Sequence, residues 1–224
     1  MAIAVASVLP RMSLRIGVTV FMIRLITGSA DPCHQDLLEE HYRLRHEIFV
    51  GERGWAALDR PDGREVDDYD TPQTVYVLAI DEGHVVGGYR FLPTSAPHLL
   101  QDRFQHLVDG PVPCGREIHE WSRFFIRKDR RGGGLFRVLM NSVPAACRLL
   151  GLASLTSVIE HDWLSRFDAA GFRYGQLGPF AELDGMQVAA VQIDIEQAPG
   201  LLIDWDEQQG RAAPELGSTR QPLT

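Results

Sequence analysis

The sequence predicts one α/β domain in which helices cover both faces of a mixed, mostly antiparallel sheet. Strand-like and helix-like hydrophobic periods alternate along the chain, and two apolar runs flank a turn at residues 81–83. The chain has 224 residues, of which 45% are hydrophobic, so it is long enough to bury a single well-packed core. A three-layer α/β/α sandwich is the simplest assembly of these elements.

Short apolar runs bounded by turn residues predict the strands, and apolar residues at helical spacing predict the helices. The predicted strands are 22–27, 75–80, 84–92, 118–126, 153–159 and 186–195. The predicted helical segments are 37–50, 99–108, 134–150 and 163–170. Residues 51–74 are rich in charge and in turn residues such as Pro61, Gly63 and Pro72, which indicates a functional loop.

The two ends of the chain differ in composition from its middle. Residues 1–21 are apolar, but Arg11 and Arg15 interrupt them, so neither part is long enough to span a bilayer. We expect this segment to be a disordered extension or the product of an upstream start codon, with the domain covering 22–198. Gly, Pro, Glu and Gln dominate near the other end, which predicts a flexible tail over 199–224.

Composition excludes several classes of function. A formal net charge of -8 argues against a general nucleic-acid binder, because phosphate contacts require clustered Lys and Arg. The three cysteines, Cys33, Cys114 and Cys147, are widely separated and have no ligand spacing. We therefore expect a reducing compartment, the cytoplasm, with no structural metal and no membrane insertion.

The loop at 51–74 carries three carboxylates, Glu65, Asp67 and Asp70, within six residues. Carboxylates this close repel one another and require cationic partners. Arginines elsewhere in the chain are the predicted partners, and they are Arg45, Arg90 and Arg123. A solvated acidic loop is the plain alternative, and a calcium loop is a further one, although the regular alternate ligands and closing Glu of an EF-hand are missing.

A basic, glycine-rich segment, RKDRRGGG, connects the strand 118–126 to the helix 134–150. Free backbone N–H groups at a helix N-terminus and nearby cations suit a phosphate or pyrophosphate group. The candidate residues for binding such a group are therefore Arg127, Lys128, Arg130 and Arg131. The alternative is a flexible connection with a solvated charge cluster.

Four separated motifs occur in the order RLRHEIFVGERGW, DGREVDDYD, VVGGYRF and IHEWSRFFIR. In this order they resemble the acyl-homoserine-lactone synthases, the LuxI-type autoinducer synthases, which are a divergent branch of the GNAT acyltransferase fold. The resemblance covers about residues 22 to 195 and is loosest in its last third. It implies a GNAT-like domain that produces a quorum-sensing signal.

The resemblance also implies a reaction. The amine of S-adenosylmethionine takes an acyl group from a thioester, either acyl-CoA or acyl carrier protein, and the product then closes to a lactone and releases methylthioadenosine. Both ligands are substrates, so no resident cofactor is expected. The motifs HEWSRFF and RLRHEIFVGERGWAALDRPDGRE, with Trp163, are more similar to the smaller branch that uses acyl-CoA with branched or aryl groups.

The resemblance assigns roles to individual residues. The S-adenosylmethionine site would contain Arg45, Phe49, Trp55, Glu65, Asp67 and Asp70. The catalytic set would be Glu120, Arg123, Arg90 and Asp67. The acyl-donor site would contain Ser122, Phe124, Arg127, Lys128, Arg130 and Arg131. The acyl pocket would contain Met140, Val143, Ser157 and Trp163.

Several of these residues have a second interpretation. Aromatic faces attract sulfonium and stack on adenine, but Phe49 also fits the apolar face of its helix as a core residue. Glu120 is the predicted base for the substrate amine, or else a structural partner of Arg123 or Arg90. Ser122 lacks a GxSxG elbow, which favours direct transfer without an acyl-enzyme. The acyl-pocket residues are equally consistent with ordinary core packing.

Two other functions compete with the synthase. A GNAT-type N-acetyltransferase would use the RRGGG loop for acetyl-CoA and the acidic loop for a cationic acceptor. A binding module without catalysis would retain an acyl signal. Neither explains why the arginines, the acidic loop, Trp55 and the EWSRF motif occur together.

Overall fold

The computed structural model describes residues 11–16, 19–28 and 34–196 of the chain. Its strands are β1 (Arg11–Ile16), β2 (Thr19–Thr27), β3 (Val75–Asp81), β4 (His84–Pro93), β5 (Ile118–Ile126), β6 (Ser154–Glu160), β7 (Arg173–Gln176), β8 (Ala181–Leu183) and β9 (Met186–Asp194). Its α-helices are α1 (Gln35–Arg45), α2 (Leu99–Asp102), α3 (Leu135–Leu150) and α4 (Trp163–Ala170). A π-helix (His46–Glu52) continues α1, and short 3-10 turns lie at Ala56–Leu58, Gln105–Leu107 and Lys128–Arg130.

The strands form one sheet in the order β1-β2-β3-β4-β5-β6-β9-β7, and β8 also pairs with β9. The pair β5 and β6 is parallel, and the other strand pairs in the described part of the chain are antiparallel. The mixed, mostly antiparallel sheet that the sequence predicts is therefore confirmed.

Alternate residues of β3 face two separate cores, as the period of a strand requires. Val75 and Val77 pack in the larger core, which contains the apolar face of α3 and Phe167 of α4. Tyr76 and Leu78 pack in a second core under α1 and the π-helix. Helices thus cover both faces of the sheet, which confirms the three-layer arrangement.

The predicted hairpin of β3 and β4 forms, but its turn has two residues rather than the three at 81–83, because Asp81 belongs to β3. Asp81 pairs with His84, and the turn residues Glu82 and Gly83 have φ values of 49° and 87°. Two consecutive positive φ values are typical of a type I′ turn, whose twist matches that of the flanking strands. This tight hairpin fixes the register of β4 and thereby the position of Arg90 along the sheet.

The structure differs from the prediction in several elements. The predicted helix 37–50 is α-helical only to Arg45 and then widens into the π-helix, a change that side-chain periodicity does not reveal. The predicted helix 99–108 is the four-residue α2 followed by a 3-10 turn. The sequence does not predict strands β7 and β8, because both are short and neither has a buried residue that would mark an apolar face.

The N-terminal segment also differs in part from the prediction. Residues 11–16, within the predicted extension, form β1 and pair with β2, which begins at Thr19 rather than at Met22. Residues 1–10 and the predicted tail 199–224 lie outside the described residues. Within the described part of the chain, no helix combines the length and apolar character needed to cross a membrane.

Candidate active site

Six charged side chains form one cluster where the end of α1, the loop 53–74, β4 and β5 meet. We call this cluster the charged network. It consists of Arg45, Arg90, Arg123, Glu65, Asp67 and Asp70. Four of these side chains are at most 1% exposed, whereas Arg123 is 10% and Asp67 is 15% exposed. Burial on this scale requires that each charge be paired, and three cations face three anions.

Arg45 is the last residue of α1, and its guanidinium contacts two carboxylates of the loop. Its Nε donates to Glu65 at 2.5 Å, and its two Nη atoms donate to the carboxylate of Asp70 at 2.8 and 3.0 Å. Paired N–H donors on one carboxylate fix both the distance and the orientation. Arg45 therefore holds the acidic loop against the end of α1.

Arg90 connects the network to the sheet. Its Nη1 and Nη2 donate to the two carboxylate oxygens of Asp67, each at 2.7 Å, and Nη1 also lies 2.8 Å from Oδ1 of Asp70. Its Nε donates to the hydroxyl of Ser122 on β5 at 3.0 Å. Because Ser122 accepts this bond, its own O–H proton is free to point at another acceptor.

Arg123 lies at a bulge between β4 and β5. Gly88 pairs with Phe125 and Arg90 pairs with Ser122, so one residue of β4 faces two residues of β5. Arg123 has a φ of 55°, in the left-handed region, which costs about 1–3 kcal/mol for a residue other than glycine. Its guanidinium contacts Glu65 at 3.0 and 3.1 Å and Asp67 at 3.1 Å, and these bonds hold the strained backbone in place.

The bulge changes the face of the sheet on which the side chains of β5 lie. Ser122 and Arg123 are consecutive, yet both contact the charged network. Phe124 then lies in the opposite core, where its ring stacks on Tyr89 at 6.2 Å between centroids. A regular strand would send Ser122 and Arg123 to opposite faces. The bulge therefore places two polar groups side by side at one point of the sheet.

Glu65 and Asp70 are ionised at neutral pH. Burial raises the pKa of Glu65, but Arg45 and Arg123 lower it more strongly, to about 2. For Asp70 burial also raises the pKa, and Arg45 and Arg90 nevertheless hold it well below its ordinary value. Charged partners thus outweigh desolvation at both carboxylates.

Phe49 and Trp55 stack beside the network. Their ring centroids are 5.0 Å apart with planes inclined by 17°. The guanidinium carbon of Arg123 lies 5.6 Å from the centroid of Phe49 and 5.7 Å from that of Trp55, within the range of a cation–π contact. Phe49 is buried in the second core, and Trp55 is half-buried at its edge. Phe49 therefore combines the core role and the site position that the sequence left open.

Glu120 lies next to the network on β5 and is 1% exposed. Its carboxylate accepts a hydrogen bond from the backbone N–H of Leu100 at 3.1 Å. Burial raises its pKa to about 7, although the Leu100 bond and the charge of Arg90 oppose the rise. Among the described residues Glu120 forms no ion pair, so the alternative of a structural salt bridge to Arg123 or Arg90 is not found.

The basic glycine-rich segment connects β5 to α3, as predicted. Three of its arginines pair with carboxylates of this chain. The pairs are Arg127 with Asp129 at 2.7 Å, Arg130 with Asp81 at 2.8 Å and Arg131 with Glu52 at 2.6 Å. Lys128 is exposed. A bound phosphate would have to compete with these partly exposed pairs, which are weak in water.

The predicted acyl-pocket residues lie on the face of the sheet opposite the charged network. Met140 and Val143 of α3 are buried in the larger core. Ser157 donates from its hydroxyl to the backbone oxygen of Trp121 at 2.9 Å. Trp163 is half-buried, and its centroid lies 5.2 Å from that of Phe124 and 6.3 Å from that of Trp121. The structure brings these residues together, while their role in acyl binding stays a prediction.

Two tyrosines that the sequence did not single out also reach the network. Tyr76 donates from its hydroxyl to Oδ1 of Asp70 at 2.9 Å, and the hydroxyl of Tyr42 donates to that of Tyr76 at 2.9 Å. The only sequence signal for Tyr76 is its position in the otherwise aliphatic strand VYVLAI, because a buried tyrosine hydroxyl needs a hydrogen-bond partner. Within the described residues no cluster of His, Cys, Asp and Glu has the arrangement of a metal site.

Comparison with known proteins gives this geometry a family context. Residues 31–197 match the family model described as autoinducer synthase. The isovaleryl-homoserine lactone synthase of Bradyrhizobium diazoefficiens is 44% identical over 178 residues, which are 79% of this chain and 81% of that protein.

Solved structures agree with the sequence match. The CoA-dependent acyl-homoserine lactone synthase BjaI, determined with S-adenosylmethionine and isopentyl-CoA, is 44% identical and has a TM-score of 0.76 over 78% of this chain and 83% of that one. An acyl-CoA N-acyltransferase from Pseudomonas aeruginosa is 18% identical and has a TM-score of 0.55 over 77% of this chain and 98% of its own. The second likeness concerns the fold alone, and it supports the GNAT-like class. The chain belongs to the autoinducer synthase family, a family of acyltransferases.

Proposed function

We propose that this chain is an acyl-homoserine-lactone synthase that acylates the amine of S-adenosylmethionine from an acyl-CoA, closes the lactone and releases methylthioadenosine. The observation that carries the proposal is the charged network. It is buried, locked by paired hydrogen bonds and bordered by the stacked rings of Phe49 and Trp55. Such a surface suits a ligand that combines a sulfonium, an amine, a carboxylate and an adenine.

Exposure divides the network into residues that touch the ligand and residues that position others. Arg45, Arg90 and Asp70 have fully buried side chains, so they hold the loop and the strands in place. Arg123 and Asp67 retain 10% and 15% exposure. We therefore assign Arg123 to the substrate carboxylate and Asp67 to its amine, and we place the sulfonium and the adenine near Trp55.

In the first step the α-amine attacks the thioester carbonyl. The α-amine is mostly protonated at neutral pH, so it must lose a proton before it attacks. Glu120, with a pKa raised to about 7, is suited to accept this proton directly or through one water. The C–N bond forms, the C–S bond of the thioester breaks, and the thiol of CoA leaves with a proton.

The carbonyl oxygen becomes negative during this attack and needs a donor. Ser122 is suited to this task, since its oxygen accepts from Arg90 and its O–H proton remains free to donate. In the second step the substrate carboxylate attacks the γ-carbon, the bond from that carbon to the sulfonium sulfur breaks, and neutral methylthioadenosine leaves. Tethering of nucleophile and leaving group in one molecule favours this closure.

The proposed donor is an acyl-CoA with a short branched chain. The likeness to an isovaleryl-homoserine lactone synthase and to a CoA-dependent synthase supports this choice over acyl carrier protein. The apolar rings of Trp121, Phe124 and Trp163 would receive the acyl chain. We further propose that no resident cofactor takes part and that the reaction occurs in the cytoplasm, where both substrates are made.

The test is a reconstituted reaction with the purified full chain. Isovaleryl-CoA and S-adenosylmethionine should together yield isovaleryl-homoserine lactone, methylthioadenosine and free CoA in equal amounts, as measured by liquid chromatography with mass spectrometry. Parallel reactions would contain isovaleryl carrier protein or acetyl-CoA with a simple amine. Faster turnover with the carrier protein would reject the proposed donor. Acetylation of the amine without methylthioadenosine release would instead favour an N-acetyltransferase.

A further inference from the structure

Asp70 is the residue on which the charged network converges. Its carboxylate accepts from Arg45 of α1 and, at 2.9 Å, from the backbone N–H of Asp67 in its own loop, and it forms an ion pair with Arg90 of β4 at 2.8 Å. The side chain is fully buried. One carboxylate thus joins a helix, a strand and the loop, and its orientation determines where both arginines point.

One further donor to Asp70 is neutral and comes from the middle of the sheet. The hydroxyl of Tyr76, on β3, donates to Oδ1 of Asp70 at 2.9 Å. The hydroxyl of Tyr42, on α1, donates in turn to the Tyr76 hydroxyl, also at 2.9 Å. The two phenols therefore form a chain of hydrogen bonds that ends on the central carboxylate, and such chains strengthen their members cooperatively.

The packing of the rings fixes the direction of the hydrogen bonds from Tyr42 to Tyr76 and from Tyr76 to Asp70. Tyr76 is fully buried, and the ring of His41 lies edge-on to it at 5.0 Å and tilted against Tyr42 at 5.4 Å. Tyr42 and Tyr76 also meet edge-to-face at 5.8 Å. Burial and the negative charge of Asp70 raise the pKa of Tyr76, so its hydroxyl keeps its proton and remains a donor. The ring cannot rotate away without disturbing the second core.

We propose that Tyr76, supported by Tyr42, is a positioning residue that sets the orientation of Asp70 and, through Arg90 and Arg45, the geometry of the S-adenosylmethionine site. This inference rests on the proposed function. Tyr76 touches no reacting atom in this account. Without its hydroxyl, Oδ1 of Asp70 keeps only arginine donors and can turn toward them, which shifts both guanidinium groups and Asp67.

The test is the dissociation constant of S-adenosylmethionine, measured by titration calorimetry without an acyl donor so that no reaction follows. Tyr76→Phe keeps the ring and removes only the donor, and it should weaken binding about tenfold, the scale of a hydrogen bond to a charged group. Tyr42→Phe should weaken it about twofold, because that hydroxyl acts only through Tyr76. The KM for the acyl-CoA should stay unchanged in both variants.

Two control variants separate positioning from a general loss of stability. Tyr89→Phe alters an equally buried tyrosine on the next strand, whose hydroxyl lies 2.9 Å from Ser142 in the other core. Tyr174→Phe removes a tyrosine bond to the carboxylate of Asp168, at 3.1 Å, away from the network. Both should bind S-adenosylmethionine as the wild type does, even where thermal unfolding shows a lower melting temperature.

The outcomes distinguish this inference from the proposed function. If the wild type binds S-adenosylmethionine and Tyr76→Phe binds it equally well, the positioning role is wrong and the function stands. Equal weakening by Tyr76→Phe and Tyr89→Phe would show a general effect of stability and would also reject the role. If Tyr76→Phe does not fold, Tyr42→Phe decides through the same constant. A wild type that binds no S-adenosylmethionine would reject both proposals.

Discussion

The two faces of β5 differ in chemistry although their residues are neighbours in sequence. On one face Glu120, Ser122 and Arg123 meet the charged network, where charge is buried and every guanidinium is paired. On the other face Trp121 and Phe124 meet the aromatic rings of α3 and α4. We propose that one face of β5 holds the cationic substrate and the other holds the acyl chain, with the reaction at the bulge between them.

The largest effect is expected when Arg90 is removed from the charged network. Arg90→Met leaves Asp67 and Asp70 buried with too few cations, and breaking a buried pair costs about 3–5 kcal/mol of folding free energy. Urea denaturation should show this loss, and the product assay should show no turnover.

Arg130→Met is the matched control for Arg90→Met. It removes a partly exposed pair with Asp81 and should cost about 0–1 kcal/mol. Equal losses of unfolding free energy in the two variants would contradict the claim that the buried ion pairs of the charged network matter more for stability than partly exposed pairs.

Next in size is the removal of the proposed base. Glu120→Gln keeps the shape of the side chain and its ability to accept from Leu100, so binding of S-adenosylmethionine should persist. Turnover should fall about 10²- to 10⁴-fold, the usual contribution of general base catalysis. The wild-type rate should also decline as the pH falls below about 7, and the variant should lose this limb of the profile. Near-normal turnover would remove the base assignment.

The stability of the same variant checks the pKa of Glu120 without any catalysis. Burial raises this pKa from 4.5 to about 7, so the folded protein holds a proton that the unfolded chain releases. The contribution of Glu120 to stability is therefore full below about pH 4.5 and is lost as the pH rises through about 7. Relative to wild type, Glu120→Gln should gain unfolding free energy over this window, approaching about 3 kcal/mol. A difference that stays constant with pH would show an unshifted carboxyl.

Replacement of either of two tryptophans should have an effect of intermediate size, and it tests whether the two faces of the sheet bind different substrates. Trp55 and Trp163 are both half-buried and lie on opposite faces of the sheet. Trp55→Ala should weaken S-adenosylmethionine binding about tenfold through loss of ring contacts, with no change in acyl preference. Trp163→Ala should raise the KM for isovaleryl-CoA about tenfold and favour longer chains, with unchanged S-adenosylmethionine binding. The dissociation constant of S-adenosylmethionine and the KM for isovaleryl-CoA should be measured for both variants. A changed KM in Trp55→Ala, or weaker S-adenosylmethionine binding in Trp163→Ala, would argue against separate faces for the two substrates.

The smallest effect is expected at the basic glycine-rich segment. Arg131 is partly exposed and pairs with Glu52, so Arg131→Glu should raise the KM for acyl-CoA only about threefold. The increase should shrink as salt screens the surface charges. Steady-state kinetics at low and high ionic strength would detect it. An unchanged KM at low salt would exclude contact between Arg131 and the phosphates of CoA.

Sequence reasoning predicted the parts of the site that charge alone determines. Three carboxylates in the loop at 51–74 cannot be buried without cations, and the structure pairs them with the three predicted arginines. Phe49 and Trp55 are expected in the site for a different reason, the attraction of aromatic faces for a sulfonium, and the structure stacks them beside Arg123.

Other features could not be predicted, because their causes are not local. The left-handed conformation of Arg123 has no sequence signal, since an arginine seldom adopts it and the bulge depends on the pairing of two strands. Tyr76 looks like any strand-forming residue until its hydroxyl is seen to reach Asp70. The backbone partner of Glu120 comes from α2, a helix of four residues whose packing no periodicity reveals.

The most direct test of the two-face account is a crystal structure of the chain with S-adenosylmethionine and a non-reactive acyl-CoA thioether. The account predicts the sulfonium near Trp55 and Arg123, the α-amine within about 3 Å of Glu120 or one water away, and the acyl chain beside Phe124 and Trp163. Both ligands on one face of β5, or an α-amine far from Glu120, would contradict it.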